Sequence, residues 1–167
     1  SPELGISAFR GRSYDWRPGI KAGAAVEYQF KSNFSLESGL YYTQRGYSYL
    51  SVLEDFTDNP YEDGFVSKPS LVRHMFQIPV HARFSWKVAD DVRLFVGAGP
   101  YLGLYFANDW KHTYIHRNDS YGDTAELGLS VMAGIEVKRF FIRLGYEHSF
   151  TGPFAYNAAT VSFGYKF

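Results

Sequence analysis

The amino-acid sequence predicts an all-β fold: an eight-stranded antiparallel up-and-down transmembrane β-barrel. Three observations carry the prediction. Large apolar residues alternate with small or polar ones along eight segments, the mark of strands with one apolar face. The connections between segments are short and long by turns. The chain of 167 residues is also rich in aromatics and glycine (Phe 15, Tyr 14, Trp 3, Gly 16). Yet no run approaches the ~18 apolar residues of a membrane helix.

The segments are residues 2–9, 19–30, 34–47, 71–86, 92–106, 124–138, 140–149 and 158–167. In the second, Ile20, Ala22, Ala24, Val26, Tyr28 and Phe30 oppose Lys21, Gly23, Ala25, Glu27 and Gln29. The third places Glu37 and Arg45 on its polar face, and the fourth His81 and Arg83. In the fifth, Leu94, Val96, Ala98, Leu102 and Leu104 oppose Arg93, Gly97, Gly99, Tyr101 and Gly103. The sixth sets Leu127, Leu129, Val131, Ala133, Ile135 and Val137 against Glu126, Gly128, Ser130, Met132, Gly134 and Glu136. The seventh sets Ile142, Leu144 and Tyr146 against Arg143, Gly145 and Glu147. In the last, Ser162, Gly164 and Lys166 separate Val161, Phe163, Tyr165 and Phe167. Pro79 and Pro100 each remove a ladder donor, which predicts bulges there and a one-residue slip of the faces.

Short turns fall at 31–33, 88–91 and Arg139; long loops fall at 10–18, 53–70, 108–122 and 151–157. All tight turns then lie at one end of the barrel and all long loops at the other. Closure of eight strands leaves no edge. No linker or second composition zone interrupts the pattern, so one barrel domain spans 1–167.

An eight-stranded bore is narrow and filled by side chains. Gly, Ser and Ala suit it better than rows of Leu, Phe and Tyr, so the polar face belongs inside. It then carries an interior charge network: Lys21, Arg45, Arg83, Arg93, Arg143 and Lys166 against Glu27, Glu37, Glu126, Glu136 and Glu147. Buried charges persist only when paired and hydrogen-bonded, and this near-balance permits pairing. The apolar face must meet lipid. A soluble lipocalin-like barrel would crowd large side chains into the bore and leave the aromatic excess unexplained. Outward aromatics cluster near the ends instead (Tyr28, Phe30, Phe34, Phe84, Trp86, Phe140), as an interfacial girdle does.

Lys+Arg and Asp+Glu are 17 each, so there is no basic stripe for nucleic acid. Cysteine is absent, which excludes disulfides, thiolate metal sites, a thiol nucleophile and lipid attachment through Cys. The start "SPELGISAF" has no basic n-region and no apolar h-region. That predicts either a cytoplasmic chain or a mature form whose signal peptide has been removed.

Four stretches carry a family resemblance: "RPGIKAGAAVEYQFKSNFSLESGLYYTQRGYSY", "FQIPVHARFSW", "VRLFVGAGPYLGLYF" and "AELGLSVMAGIEVKRFFIRLGYEHSF". With the Ile-Pro strand at 78–79, the Gly-Ala-Gly-Pro segment at 97–100 and the final aromatic, the chain resembles the PorT-like outer-membrane β-barrel family of Bacteroidetes. The likeness runs from about residue 5 to 167. It implies a small barrel in a Gram-negative outer membrane, in contact with lipid and exported with a signal peptide. It also implies that Phe167 serves as a signal to the barrel-assembly machinery during insertion. Fold and location follow from the resemblance; a role in secretion does not.

Several motifs invite chemistry. In "YEHSF", His148 and Ser149 are adjacent, hence on opposite faces of a strand, outside the reach a serine–histidine pair needs. "HTYIH" sets His112 and His116 four apart near Asp109 and Asp119, a spacing that could hold zinc, but a solvated loop explains it as well. The acids Glu54, Asp55, Asp58, Glu62 and Asp63 lack the regular ligand spacing of a calcium loop. His81 reads as a satisfied interior histidine. The sequence therefore predicts no catalytic residue, no metal site and no cofactor.

The expected protein is a non-enzymatic anchor with a plugged polar interior. Its long loops would meet a protein or glycan partner, or dock it as an accessory subunit of an outer-membrane assembly. Contact candidates are Phe56, Tyr61 and Phe65 in one loop and Trp110, Tyr114 and Tyr121 in the other, because interfaces favour aromatic anchors. The alternatives are a narrow pore for small solutes and, further off, a lipid-modifying enzyme.

Overall fold

The computed structural model describes residues 1–10, 17–31, 33–48, 51–52, 66–67, 70–111, 125–151 and 157–167. Ten strands form within them: β1 (Pro2–Arg10), β2 (Arg17–Gln29), β3 (Phe34–Ser48), β4 (Ser51–Val52), β5 (Val66–Ser67), β6 (Ser70–Ala89), β7 (Val92–Lys111), β8 (Ala125–Val137), β9 (Phe140–Ser149) and β10 (Asn157–Tyr165). Eight of them close into one antiparallel barrel in the order β1-β10-β9-β8-β7-β6-β3-β2. Each barrel strand pairs with its neighbours in the chain, and the seam joins first to last, with Ile6 opposite Val161. Strands β4 and β5 form a separate two-stranded ribbon, Ser51 opposite Ser67.

The prolines do not shift the faces. Ile78↔Leu102, Pro79↔Tyr101 and Ala82↔Ala98 lie in one unbroken register, and Pro100 stays opposite Leu129. A missing N–H costs one ladder bond without displacing the strand, and the Ser38 hydroxyl donates to the Pro79 carbonyl at 2.8 Å. The irregularities lie elsewhere, between His74 and Met75 and between Lys87 and Ala89. The strands also run further than their apolar alternation. Ser70 pairs with Lys111, so residues 108–111, expected in a loop, are strand. Together β3, β6 and β7 rise above the point where β8 joins β7, at Leu104↔Ala125.

Side chains alternate strictly across the wall; in β8 every inward position from Glu126 to Glu136 is buried or half-buried and every outward one is exposed. The bore is bulkier than its small residues suggest. Tyr41, Phe95, Tyr101, Tyr105 and Phe141 are buried inside with Met75 and Met132. Glycines directly across the ladder make the room: Gly23 faces Tyr41, Gly128 faces Tyr101, Gly134 faces Phe95 and Gly164 faces Phe141. A Cβ at any of these glycines would run into the ring opposite. The small residues are thus the sockets for large ones.

Candidate functional site

Among the described residues two surfaces can act: the packed lumen and the lipid-facing wall. In the lumen the charges gather in two layers. Toward the short turns, Arg83 contacts Glu136 at 2.7 Å, Glu27 at 2.9 Å and Glu37 at 3.3 Å. Lys166 reaches Glu27 at 2.5 Å and also Glu136. Arg143 forks onto both oxygens of Glu37, at 2.8 and 2.9 Å, and touches Glu3 at 3.0 Å. Toward the loops, Arg45 bridges Glu126 and Glu147, the latter at 2.7 Å, while Lys21 meets Glu147 at 2.6 Å. The hydroxyls of Tyr101 and Tyr105 both donate to Glu126. Tyr41 donates to Glu3 at 3.1 Å, and the Lys21 ammonium lies 4.9 Å from the centre of its ring, linking the layers.

Of the eleven interior charges named from the sequence, ten lie in this lattice. Arg93 does not: it is exposed at the short-turn rim, because it sits one residue into β7, where the lumen opens to solvent. Two buried charges escaped the sequence reading, Glu3 and Arg73. Their strands carry the signal, since each has the parity of inward neighbours (Ser7 for Glu3, Gln77 for Arg73). The Arg73 guanidinium stacks 3.9 Å from the Tyr105 ring centre. Among the described residues, six carboxylates (Glu3, Glu27, Glu37, Glu126, Glu136, Glu147) therefore face six cations (Lys21, Arg45, Arg73, Arg83, Arg143, Lys166).

Between the layers, Ser130 Oγ lies 2.5 Å from His81 Nε2, and His81 Nδ1 lies 3.9 Å from Glu37. The order is that of a nucleophile, a base and an acid. Three features argue against such work. Glu37 is already clamped by two arginines, its distance from His81 exceeds a hydrogen bond, and all three residues are buried. The adjoining cavity, lined by His81, Ser130, Tyr41, Arg143 and Thr160 among others, holds about 20 Å³. That is room for one water and no substrate. His148 and Ser149 point to opposite sides of the wall; the imidazole bonds Asn157 at 2.7 Å and the hydroxyl donates to the Thr151 carbonyl.

The outward wall is apolar. Leu4, Ile6, Val26, Leu40, Val80, Leu129, Leu144 and Val161 are all exposed. Between its aromatic ends no outward side chain among the described residues is Asp, Glu, Lys or Arg. At the short-turn end, Phe140 stacks on Phe163 and meets Tyr165 edge-on, at 5.6 and 5.2 Å, and Phe167 packs on Tyr165 at 5.3 Å. At the loop end, Phe76 stacks on Phe106 at 4.6 Å. The loop candidates Phe56, Tyr61, Phe65, Tyr114 and Tyr121 lie outside the described residues, as do the acidic cluster at 54–63, His112, His116 and Asp119. Trp110 and Asp109 fall on the backbone of β7. Among the described residues no three His, Cys, Asp or Glu side chains group as metal ligands do.

A wall without charge, aromatic belts at both ends and a salt-bridged bore define an integral β-barrel of the outer membrane, crossing lipid with strands. The chain belongs to the outer membrane protein beta-barrel domain family, whose model matches residues 6–155. Solved structures with the same fold include Neisserial surface protein A, at 12% identity and TM-score 0.55, covering 99% of this chain and 94% of that one. The outer membrane enzyme PagL follows at 9% identity and TM-score 0.56, with 99% of each chain covered. The attachment invasion locus protein Ail of Yersinia pestis is 15% identical at TM-score 0.48, covering 100% of this chain and 97% of that one. At such identities the likeness to the first two is one of fold. No curated protein sequence matches the chain.

Proposed function

We propose that this protein is a non-enzymatic outer-membrane anchor of the PorT-like kind, inserted by the assembly machinery, with a plugged lumen and long loops as its working surface. One observation carries the reading: the bore is filled by a charge lattice whose cavity beside His81 and Ser130 admits a single water. Salt bridges that span the lumen occupy the path a solute would need. The loops then remain as the surface large and varied enough to recognise a protein or glycan, through anchors such as Phe56, Tyr61, Phe65, Tyr114 and Tyr121.

Planar-bilayer recording tests the plug. The purified barrel should add no ion conductance above the bare membrane; discrete steps in current would replace the anchor with the pore. The loop half of the proposal is tested by exchanging residues 53–65 and 112–121 for short Gly/Ser turns. The barrel should remain folded and heat-modifiable, while partner proteins or glycans no longer co-purify from native membrane. A trimmed barrel that captures the same partner would move recognition to the wall or the turns. Mass spectrometry of lipopolysaccharide after incubation with the protein tests for lipid-modifying activity, and the glycolipid should be unchanged.

A further inference from the structure

The two rims of the lipid-facing wall differ in chemistry. The short-turn rim is built of rings that pack on one another, such as Tyr28 on Phe30 and Phe84 on Trp86, and its polar partner is a cation, Arg139, which donates to the Tyr165 hydroxyl at 3.2 Å. On the loop side, outward rings are joined to amides and imidazoles. Tyr42 OH lies 2.6 Å from His74 Nδ1, and Gln44 Nε2 donates to the same hydroxyl at 3.1 Å. His74 stacks on Tyr42 at 5.9 Å, and Phe106 lies 6.2 Å from both rings while stacking on Phe76. These residues of β3, β6 and β7 form one outward plate, polar at its upper edge and apolar below.

We propose that the Tyr42–Gln44–His74 patch, with the Phe106 and Phe76 rings beneath it, is a subsite for the saccharide headgroup of an outer-leaflet glycolipid. Three observations select that occupant. The patch faces outward on a wall that stands in lipid, so its ligand must be membrane-borne. It adjoins the exposed apolar residues Ile78 and Leu104, which continue downward as a bed for acyl chains. Its chemistry also suits a sugar: amide and hydroxyl groups meet ring hydroxyls while aromatic faces meet the apolar C–H face. Gln44 keeps an amide oxygen and a second N–H beyond its bond to Tyr42. The asymmetry of the two rims matches an outer membrane whose outer leaflet alone is built of glycolipid, with the long loops outside.

Native mass spectrometry in detergent tests this, titrating the barrel with core-truncated lipopolysaccharide and, separately, with phosphatidylglycerol. The double variant Tyr42→Phe/Gln44→Leu removes two polar groups and keeps the rings. It should bind lipopolysaccharide about 30-fold more weakly, the value of two neutral hydrogen bonds. Its phosphatidylglycerol binding should stay within about twofold, by the same scale. His148→Leu, at the other outward imidazole, should leave lipopolysaccharide affinity unchanged. Heat-modifiability on gels confirms that each variant is folded, and Gln44→Ala in preformed nanodiscs repeats the measurement without refolding. Unchanged lipopolysaccharide affinity in the double variant overturns the proposal. So does an equal loss for both lipids, which makes the patch an interfacial belt for any polar headgroup.

Discussion

Leu129 and Ser130 are neighbours in the chain and face different solvents. Leu129 points into lipid, while Ser130 is buried against His81 Nε2 at 2.5 Å. Leu129→Arg should therefore cost ~2–4 kcal/mol near mid-membrane. Ser130→Ala should cost about 1 kcal/mol, since it strips one hydrogen bond from a buried imidazole. Urea unfolding in lipid vesicles measures both, and equal small effects would reverse the faces. Packing makes a second residue-level demand. Gly134 lies across the ladder from Phe95, so Gly134→Ala should destabilise by roughly 1–3 kcal/mol through overpacking. The face of each of these residues is legible from a period of two. Which ring fills which glycine socket is not, because that depends on the register across two strands.

At the scale of elements, alternation locates all eight barrel strands, since one face of each meets lipid and the other a packed bore. The ends are less legible. Above the lipid the apolar face has no reason to persist, so Ser70 and "NDWK" at 108–111 read as loop although β6 and β7 pair through Ser70↔Lys111. The ribbon of β4 and β5, two residues each, is too short to show any period. The turn between β8 and β9 holds a device that alternation cannot reveal. Lys138 has φ 57°, a left-handed conformation that favours glycine. The turn is tied on both sides: the Lys138 N–H donates to the Asp91 carbonyl at 2.8 Å, and the Lys166 N–H donates to the Arg139 carbonyl at 2.7 Å. Lys138→Gly should accordingly stabilise the barrel by ~0.5–1 kcal/mol, the relief of left-handed strain less the entropy of glycine. A raised midpoint of urea unfolding with unchanged slope is the expected result.

At the scale of the molecule, the sign balance of the bore follows from composition and alternation, but its wiring does not. Arg45 on β3 meets Glu126 on β8 and Glu147 on β9, strands that become neighbours of the same bore only when the sheet closes through β1 and β10. That wiring makes a prediction about how charges may be removed. Arg45→Met leaves Glu126 without its guanidinium in a site with no water access, and should cost roughly 3–5 kcal/mol. Adding Glu126→Leu removes the stranded carboxylate, while Glu147 keeps Lys21 at 2.6 Å. The Tyr101 and Tyr105 hydroxyls then lose their acceptor, at about 1 kcal/mol each. The double variant should consequently be no less stable than Arg45→Met, and less destabilised than the sum of the two single changes by about 2 kcal/mol or more. A thermodynamic cycle of urea unfolding in vesicles, with all four proteins compared at one pH, measures that coupling. Strict additivity would mean that water reaches the lattice and screens its charges, and the plugged lumen would have to be given up.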